Sequence, residues 1–255
     1  MQIIRYILAS FAMFSAIPVK VILKKDDFKY TGVCLPLVGA LLGIVLSAVL
    51  KICIRFDVNN LVMALIIAVF PVIFTGGIHL DGFMDCHDAF ASHSSKERML
   101  EIMKDSNTGA FACIYIVLYE LSFFVFCFLL PKESKFIFML IVIFSLSRAA
   151  SAFALLSLDS ARSSGMGKSL KDMSDEKKSR YILIFEMVLI ILSAFLIDMK
   201  SAIFIVLGSL FTYLYCTAKM KKQFSGITGD LAGWFLSLNE LVMLIALNIS
   251  AGGIF

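Results

Sequence analysis

Long apolar segments alternate with short polar ones along the whole chain, and each apolar segment is about as long as a helix that crosses a bilayer. Seven such segments can be drawn, at 32–50, 61–78, 110–130, 136–158, 181–197, 201–217 and 231–250. The fifth and sixth are separated only by Asp198 to Lys200, which predicts a tight helical hairpin, with one long tilted helix as the less favoured alternative. A further run, 3–17, precedes Pro18 and a lysine cluster and predicts an interfacial helix. We therefore predict an all-α, polytopic helical membrane protein with one transmembrane domain over 1–255.

The composition supports this class. The 255 residues are 60% hydrophobic and only 16% charged, and the mean hydropathy is +0.93, which excludes an ordinary soluble domain. The net charge is +4, but the basic residues lie in short segments between spans instead of on one face, so we do not expect nucleic-acid binding. Membrane lipid is an expected partner, and a homo-oligomer is possible from sequence alone.

The distribution of basic residues predicts the orientation. The segments 18–31, 79–109, 159–180 and 218–230 together carry 16 Lys and Arg, whereas the segments 51–60, 131–135, 198–200 and 251–255 carry 5. The positive-inside rule then places the first set and the N-terminus in the cytoplasm and the C-terminus outside. The expected location is the cell membrane (an inner membrane where there are two), with catalytic loops at about 75–109, 159–180 and 218–230 on the cytoplasmic face.

The stretch 75–109 holds four aspartates and all three histidines of the chain. Asp81, Asp85 and Asp88 are spaced i, i+4, i+7, so a helix that continues past Gly82 would carry them on one face, about 11 Å from first to last. Three uncompensated negative charges repel one another, and a divalent cation would relieve that repulsion. Carboxylate oxygens suit Mg²⁺ or Mn²⁺, and Mg²⁺ commonly bridges to substrate phosphates. A solvated acidic loop is the alternative that spacing alone leaves open.

A fourth aspartate, Asp105, lies just before the third span, between Lys104 and Ser106. Ser106, Asn107 or Thr108 is expected to cap the helix that follows. Because a helix N-terminus favours an anion, a carboxylate and a phosphate-binding site would then meet at one place.

The histidines allow a second interpretation of the same stretch. His79, His87 and His93, together with Cys86, are possible zinc ligands, but their spacing matches no standard closed zinc site. Zinc is therefore a minor alternative to magnesium.

Two ionisable residues lie deep inside predicted spans. Arg148 is ten residues from the cytoplasmic end of the fourth span and Glu240 is nine from that of the seventh, so both lie about 15 Å deep and could pair. A structural ion pair and a contact between Arg148 and a substrate diphosphate remain equally open.

Two glycine-containing segments complete the candidate chemistry. Residues 163–168 read Ser-Ser-Gly-Met-Gly-Lys, and 226–230 read Gly-Ile-Thr-Gly-Asp before the last span. The first is not a P-loop, because its glycine spacing differs and no strand precedes it. Each is either a flexible turn or a backbone wrapped around a phosphate, and Asp230 is a possible helix cap.

The ordered set of motifs resembles the cobalamin synthase family, the adenosylcobinamide-GDP ribazoletransferases. The matching elements are Ser-Ala-Ile-Pro-Val at 15–19, Thr-Gly-Gly-Ile-His-Leu-Asp-Gly at 75–82 with Asp85 and Asp88, 98–106 with Gly109, Ser147-Arg148, Gly-Met-Gly at 165–167, and Thr-Gly-Asp at 228–230 with Glu240. They run in family order across nearly the full chain, and the central block is the most specific of them.

The resemblance implies an integral membrane, Mg²⁺-dependent transferase. It would join adenosylcobinamide-GDP and α-ribazole, or α-ribazole 5′-phosphate, to give adenosylcobalamin or its phosphate, with release of GMP. The expected catalytic residues are Asp81, Asp85, Asp88 and Asp105, the first three as metal ligands. The expected substrate contacts are His79, Lys104, Ser106, Arg148, Gly165, Gly167, Asp230 and Glu240.

The chain departs from the family pattern at three neighbours of the carboxylates. Ala89 stands where glycine is usual, Cys86 where threonine is common, and His93 where arginine is frequent. These departures leave the aspartates in place and change only the residues near them.

Two other functions fit parts of the pattern. A phosphotransferase of the CDP-alcohol type also uses helical aspartates, but its Ala-Arg after Asp-Gly and its later aspartates are missing here. A secondary transporter would use carboxylates near the bilayer midplane and contain repeats, and no repeat is visible.

Overall fold

The structure is a computed structural model that describes residues 2–252. Within that range the chain forms α-helices and short turns without any β-strand, apart from one isolated bridge between Ser160 and Ile227. This confirms the predicted all-α fold. The helices are α1 Gln2–Phe14, α2 Leu35–Arg55, α3 Asn60–Thr75, α4 Ile78–Ala91, α5 Lys96–Ile102, α6 Ala110–Phe128, α7 Ser134–Ser157, α8 Met166–Met173, α9 Glu176–Ile197, α10 Met199–Phe224 and α11 Gly229–Ala251.

The long helices are those of a polytopic membrane protein. Among the described residues, α2, α6, α7, α9, α10 and α11 are each long and apolar enough to cross a bilayer, and α3 with α4 forms a further apolar pair bent by 93°. Because of this bend, α4 does not continue the path of α3 and instead packs against α11 and α6. The predicted outside position of the C-terminus falls partly on 253–255, which lie outside the described residues.

Helix α7 lies at the centre of the bundle and packs against α2, α9 and α11. The most apolar part of α7 is 83% buried, whereas that of α9 is only 11% buried and faces outward. Gly39 and Gly43 allow the close approach of α2, since a Cβ on Gly43 would lie 2.5 Å from the Cα of Ile141. Small residues four apart are a common means of bringing two membrane helices into contact.

Hydrogen bonds between helices reinforce this packing. The hydroxyl of Ser151 donates to the carbonyl of Ala232 at 2.8 Å, and that of Ser47 donates to the carbonyl of Ile137 at 3.1 Å. In an apolar environment such bonds contribute about 0.6 kcal/mol each. They join α7 to α11 and to α2.

The helical hairpin predicted around Asp198 is confirmed. Asp198 ends α9 and caps α10, where its carboxylate accepts from the N–H of Ser201 at 2.9 Å. Helix α10 extends to Phe224, well past the predicted end of the sixth span. The segment 159–180, predicted as a loop, contains the short helix α8.

The N-terminal helix α1 is fixed against the bundle. The guanidinium of Arg5 donates two hydrogen bonds to the carboxylate of Asp27, at 2.7 and 2.6 Å. These bonds, with a further one from the backbone of Lys24, lower the pKa of Asp27 to about 2. The N–H of Ala16 donates to the carbonyl of Phe74 at 2.8 Å, which joins the end of α1 to the end of α3.

The four basic segments meet at one end of the bundle. The guanidinium of Arg162 donates to the carbonyl of Leu100 at 3.0 Å, and the N–H of Ile227 donates to the carbonyl of Asp159 at 2.8 Å. The N–H of Asp175 approaches the carbonyl of Lys29 at 3.4 Å. The predicted catalytic loops therefore lie together.

Candidate active site

The acidic helix α4 starts from a bend made by two consecutive glycines. Gly76 and Gly77 have φ of 66° and 76°, a left-handed conformation that costs glycine little. Helix α3 ends there and α4 begins with Ile78. The predicted second span, 61–78, therefore ends in this bend, and a separate helix continues past Gly82.

The three aspartates nevertheless share a helix, because α4 contains Asp81, Asp85 and Asp88. Helix α4 crosses the start of α11 so closely that a Cβ on Gly82 would lie 2.8 Å from the Cα of Asp230. This approach brings the charge of Asp230 to those of Asp81 and Asp85. We call the carboxylates of Asp81, Asp85 and Asp230 the acidic face.

Nearby positive groups only partly balance the negative charges of the acidic face. Burial, followed by the charges of Asp81 and Asp230, raises the pKa of Asp85 to about 7, and the nearby Arg162 only partly offsets the shift. Asp81 is exposed and Asp85 is half-buried, so both remain within reach of a ligand.

The donor chemistry fits a hard cation that keeps other ligands. Within residues 2–252, no group of three or more His, Cys, Asp or Glu side chains is placed to hold a metal ion by itself. Mg²⁺ typically binds one or two protein carboxylates together with water and substrate phosphates. The acidic face therefore fits Mg²⁺ as an open site.

Asp88 has a different environment from the other two aspartates of α4. Its carboxylate accepts hydrogen bonds from the N–H groups of Gly109 at 2.6 Å and Ala112 at 2.8 Å, which are free donors at the start of α6. Gly109, not one of the residues 106–108, occupies the N-cap position. The predicted cap by Ser106, Asn107 or Thr108 is therefore wrong, and a side chain distant in sequence replaces it.

Replacing this cap should destabilise the protein measurably. We expect Asp88→Ala to lower the free energy of unfolding by about 1 kcal/mol, because two N–H groups lose their acceptor. Asp88→Asn keeps an oxygen acceptor and should lose less than half of that. Thermal unfolding of the two purified variants checks this order. Equal stability of Asp88→Ala and wild type would contradict the capping role.

A cavity of about 160 Å³ opens beside the acidic face. Asp81, Asp230, Gly165, Gly167 and Lys168 line it. The inner wall is apolar and includes Leu155, Leu156 and Leu170. The site thus combines carboxylates, glycine backbone and basic side chains around one opening.

Two glycine segments meet at this cavity, as the sequence allowed. A Cβ on Gly167 would lie 2.7 Å from the backbone N of Gly229, so only glycine permits the two segments to touch here. Gly165 has φ of 117°, outside the range of ordinary residues. Thr228, not Asp230, caps α11 by accepting from the N–H of Leu231 at 3.1 Å.

Arg162 is the site residue that the sequence did not reveal. Its guanidinium donates to the carboxylate of Asp230 at 2.8 Å and lines the cavity. Its Nε is buried and has no hydrogen-bond partner among the described residues. The only available signal was an arginine three residues before the Gly-Met-Gly motif, which fixes no position in space.

His79 is buried at the start of α4 and lines the same cavity. Its Nε2 has no partner among residues 2–252, and its ring stacks on Phe14 of α1 with centroids 6.4 Å apart. Burial, with a smaller effect of Arg148, lowers the pKa of His79 to about 3, so the ring is neutral. Because Nε2 is enclosed by the protein, the substrate contact of His79 stays a prediction.

The segment with Lys104, Asp105 and Ser106 is exposed and does not line the cavity. Asp105 accepts hydrogen bonds from the N–H and the side-chain amide of Asn107, at 3.0 and 2.7 Å, and these bonds lower its pKa. Catalysis by Asp105 and substrate contacts by Lys104 and Ser106 stay predictions, without a contact that supports them.

Arg148 and Glu240 form a buried ion pair with each other. The hydroxyl of Ser147 donates to Glu240 at 3.1 Å, and Arg148 donates to the carbonyl of Phe144 at 2.9 Å. Neither member of the pair lines the cavity beside the acidic face. The arrangement favours the structural role over a substrate contact, which stays a prediction for both residues.

Comparisons with known proteins identify the family of the chain. A sequence model described as cobalamin-5-phosphate synthase matches residues 6–248. A curated protein of Lachnoclostridium phytofermentans, named adenosylcobinamide-GDP ribazoletransferase, is 33% identical over 248 residues, which cover 95% of this chain and 93% of that relative. Proteins with the same name from Clostridium botulinum (strain Alaska E43 / Type E3) and Geobacillus sp. (strain WCH70) are 32% and 36% identical. The alignment with the Clostridium botulinum protein covers 94% of this chain and 95% of that relative. The alignment with the Geobacillus protein covers 79% of this chain and 78% of that relative. No solved structure matches the chain.

Proposed function

The chain belongs to the cobalamin-5-phosphate synthase family, and we propose that it joins adenosylcobinamide-GDP to α-ribazole, or to α-ribazole 5′-phosphate, with release of GMP. The observation that carries this proposal is the cavity lined by Asp81 and Asp230 of the acidic face, by Arg162 and by two glycine segments. The printed names of the relatives supply the corrinoid diphosphate and the ribazole. Because the chain belongs to this family, we set aside the two alternatives, a CDP-alcohol-type phosphotransferase and a secondary transporter.

The transfer is a substitution at phosphorus. A ribose hydroxyl oxygen of the ribazole forms a bond to the phosphorus attached to cobinamide, and the bond from that phosphorus to the bridging oxygen of the diphosphate breaks. GMP leaves with the bridging oxygen and its electron pair, and the hydroxyl proton passes to a carboxylate of the acidic face. Such a step depends mainly on positioning and charge neutralisation, not on a covalent nucleophile of the protein.

The chain offers the phosphates positively charged side chains and glycine backbone without side chains. Arg162 and Lys168 line the cavity together with Asp81, and a guanidinium can bind two phosphate oxygens at once. The backbone at Gly165 and Gly167 carries no side chain that would block a close approach. We propose that these four residues hold the diphosphate.

Asp81 and Asp85 are the residues proposed to hold Mg²⁺, and Asp88 remains a predicted third ligand. When bound, Mg²⁺ would neutralise charge on the diphosphate and on the leaving GMP. The two carboxylates would then serve as orienting groups, and the repulsion that raises the pKa of Asp85 would be relieved.

We propose that the end of the bundle that carries the cavity faces the cytoplasm. The four segments that meet there hold 16 of the 23 Lys and Arg of the chain, and the positive-inside rule assigns such segments to the cytoplasmic side. Nucleotide substrates are present on that side. A cysteine-labelling map that placed residue 104 outside would contradict the orientation.

The reaction itself is the test of the proposal. Purified protein in nanodiscs is incubated with adenosylcobinamide-GDP, α-ribazole and Mg²⁺, and both products are quantified. We expect a cobalamin and GMP in equal amounts, and no GMP when α-ribazole is left out. Absence of both products, or GMP release that does not need α-ribazole, would overturn the proposed transfer.

Removing the arginine of the cavity should slow this reaction. We expect Arg162→Ala to lower kcat/KM for adenosylcobinamide-GDP by roughly ten- to a hundred-fold, the value of one or two charged hydrogen bonds, with Arg162→Lys between it and wild type. Arg55→Ala, exposed at the other end of the bundle, is the matched control. Wild-type kinetics of Arg162→Ala would exclude a phosphate contact.

A further inference from the structure

The cavity beside the acidic face has two ends of different chemistry. Its charged lining residues, Asp81, Asp230, Arg162 and Lys168, are all at least partly exposed. A second group of lining residues is small or apolar, and every member is buried: Gly32, Leu35, Ala152, Leu155, Leu156 and Leu170. We call these six residues the apolar end. The cavity therefore runs from charged groups at the surface to apolar groups inside the protein.

Three parts of the chain build the apolar end. Gly32 lies in the short turn before α2, and Leu35 begins α2. Leu156 lies in the last turn of α7, which packs against α2, and Leu170 belongs to α8. Because these elements pack on one another, the apolar end is preformed, as is usual for the site of a small ligand.

The buried polar side chains that line the same cavity are not free to bind a ligand. The hydroxyl of Ser151 donates to the carbonyl of Ala232, and that of Thr228 accepts from the N–H of Leu231. The Nε2 of His79 is enclosed by the protein. A ligand group with several donors and acceptors would lose its hydrogen bonds to water here without gaining these side chains as partners, which is costly. The apolar end therefore favours an apolar group.

One part of the two substrates matches this environment. The base of α-ribazole is a dimethylbenzimidazole, which is flat, carries two methyl groups and has no N–H once it is joined to ribose. Guanine, in contrast, has donors and acceptors along its edge. The cavity measures about 160 Å³, and a cavity of about 150 Å³ lined by Leu, Ile and Phe in another protein binds benzene. The apolar end can therefore take the six-membered ring of the base, whereas a corrin ring is far too large for it.

We propose that the apolar end binds the dimethylbenzimidazole base of α-ribazole, with the ribose towards the acidic face. This inference rests on the proposed function and adds the position of the second substrate. Both ends belong to one cavity, so the ribose attached to the buried base lies on the side of Asp81, Arg162 and Lys168. The attacking hydroxyl and the diphosphate then meet at the charged end.

Gly32 is the residue that sets the size of the accepted base. A Cβ on Gly32 would lie 3.9 Å from Cδ2 of Leu170 and 4.0 Å from Cδ1 of Leu156, which is ordinary van der Waals contact. Gly32 does not have a positive φ, so alanine fits its backbone as well. An added methyl group therefore leaves the fold intact and takes up space beside two leucines of the apolar end. In the wild type that space is left to the methyl groups of the base.

Two substrates that differ only in the methyl groups of the base test this position. Wild type and Gly32→Ala in nanodiscs are assayed with α-ribazole and with the α-riboside of unsubstituted benzimidazole. We expect wild type to prefer α-ribazole roughly tenfold in kcat/KM, because two more methyl groups are buried. In Gly32→Ala, kcat/KM for α-ribazole should fall roughly tenfold, the effect of overfilling a packed site. The values for the unsubstituted riboside and for adenosylcobinamide-GDP should stay near wild type.

The chain offers a matched control for this substitution. Gly208→Ala adds the same methyl group in α10, where its Cβ would lie 3.3 Å from that of Ala246, and Gly208 does not line the cavity. This variant should keep the wild-type preference, although its packing is tighter than at Gly32. An unchanged preference in Gly32→Ala would overturn the proposal. A rise in KM confined to adenosylcobinamide-GDP would assign the apolar end to guanine and contradict the proposal.

Binding without the second substrate separates this inference from the proposed function. Equilibrium dialysis of each riboside against purified protein should show the same roughly tenfold preference in wild type and its loss in Gly32→Ala. If binding follows this pattern and no product forms, the transfer fails and the base site stands. If product forms with the same preference in wild type and Gly32→Ala, the base site fails and the transfer stands. Wild type that neither binds α-ribazole nor forms product would overturn both.

Discussion

Asp85→Asn is expected to lower the rate of GMP release by roughly 10³-fold or more, with little loss of folded protein. Asp85 is half-buried and is affected by the charges of Asp81 and Asp230, so a cation bound at the acidic face would stabilise its ionised form. Asparagine keeps the shape of the side chain and removes that charge. Loss of one group that stabilises a transition state commonly costs 10²–10³-fold, and loss of the bound ion would add to this.

The control for this substitution is an aspartate remote from the site. Asp26→Asn, in an exposed turn near the N-terminus, should turn over at the wild-type rate. Asp81→Asn should resemble Asp85→Asn, since both carboxylates belong to the acidic face. Near-normal turnover of Asp81→Asn and Asp85→Asn, at normal membrane insertion, would show that the metal assignment is wrong.

Arg148→Ala is expected to destabilise the protein by about 3–5 kcal/mol, because it leaves Glu240 buried without its counter-charge. Both side chains are almost fully buried between α7 and α11, where an unpaired charge is costly. The expected result is low accumulation in membranes and a large fall in the melting temperature of the purified protein.

A double variant separates structure from substrate binding. Arg148→Met with Glu240→Leu replaces the pair by apolar side chains of similar volume, a change that is often neutral for stability. If the pair is structural, the double variant should regain most of the stability and turn over within a few-fold of wild type. A stable double variant without turnover would instead assign Arg148 or Glu240 to the substrate.

The class of the fold was predictable because apolar length and basic residues are local properties of the chain. The spans, the hairpin at Asp198 and the common end of the four basic segments follow from them. The bend at Gly76 and Gly77 was not predicted, since two glycines permit a left-handed turn without requiring it. The course of α4 depends on the contact between Gly82 and Asp230, which are far apart in sequence.

The candidate site was likewise only partly predictable from the sequence. The acidic helix and the glycine segments were visible as motifs, because their residue types suit metal and phosphate. Two partnerships were not visible, namely Asp88 with the start of α6 and Arg162 with Asp230. Each joins residues more than 20 positions apart, and neither has a spacing that a single sequence can reveal.

The metal dependence of GMP release tests the central claim most directly. Purified wild type is stripped with EDTA, dialysed, supplied with adenosylcobinamide-GDP and α-ribazole, and assayed while Mg²⁺ is added back, with Asp85→Asn in parallel. We expect no GMP from the stripped protein, a saturable return of the wild-type rate with Mg²⁺, and little response from Asp85→Asn. Release of GMP at the full rate by protein freed of all divalent ions would contradict the account.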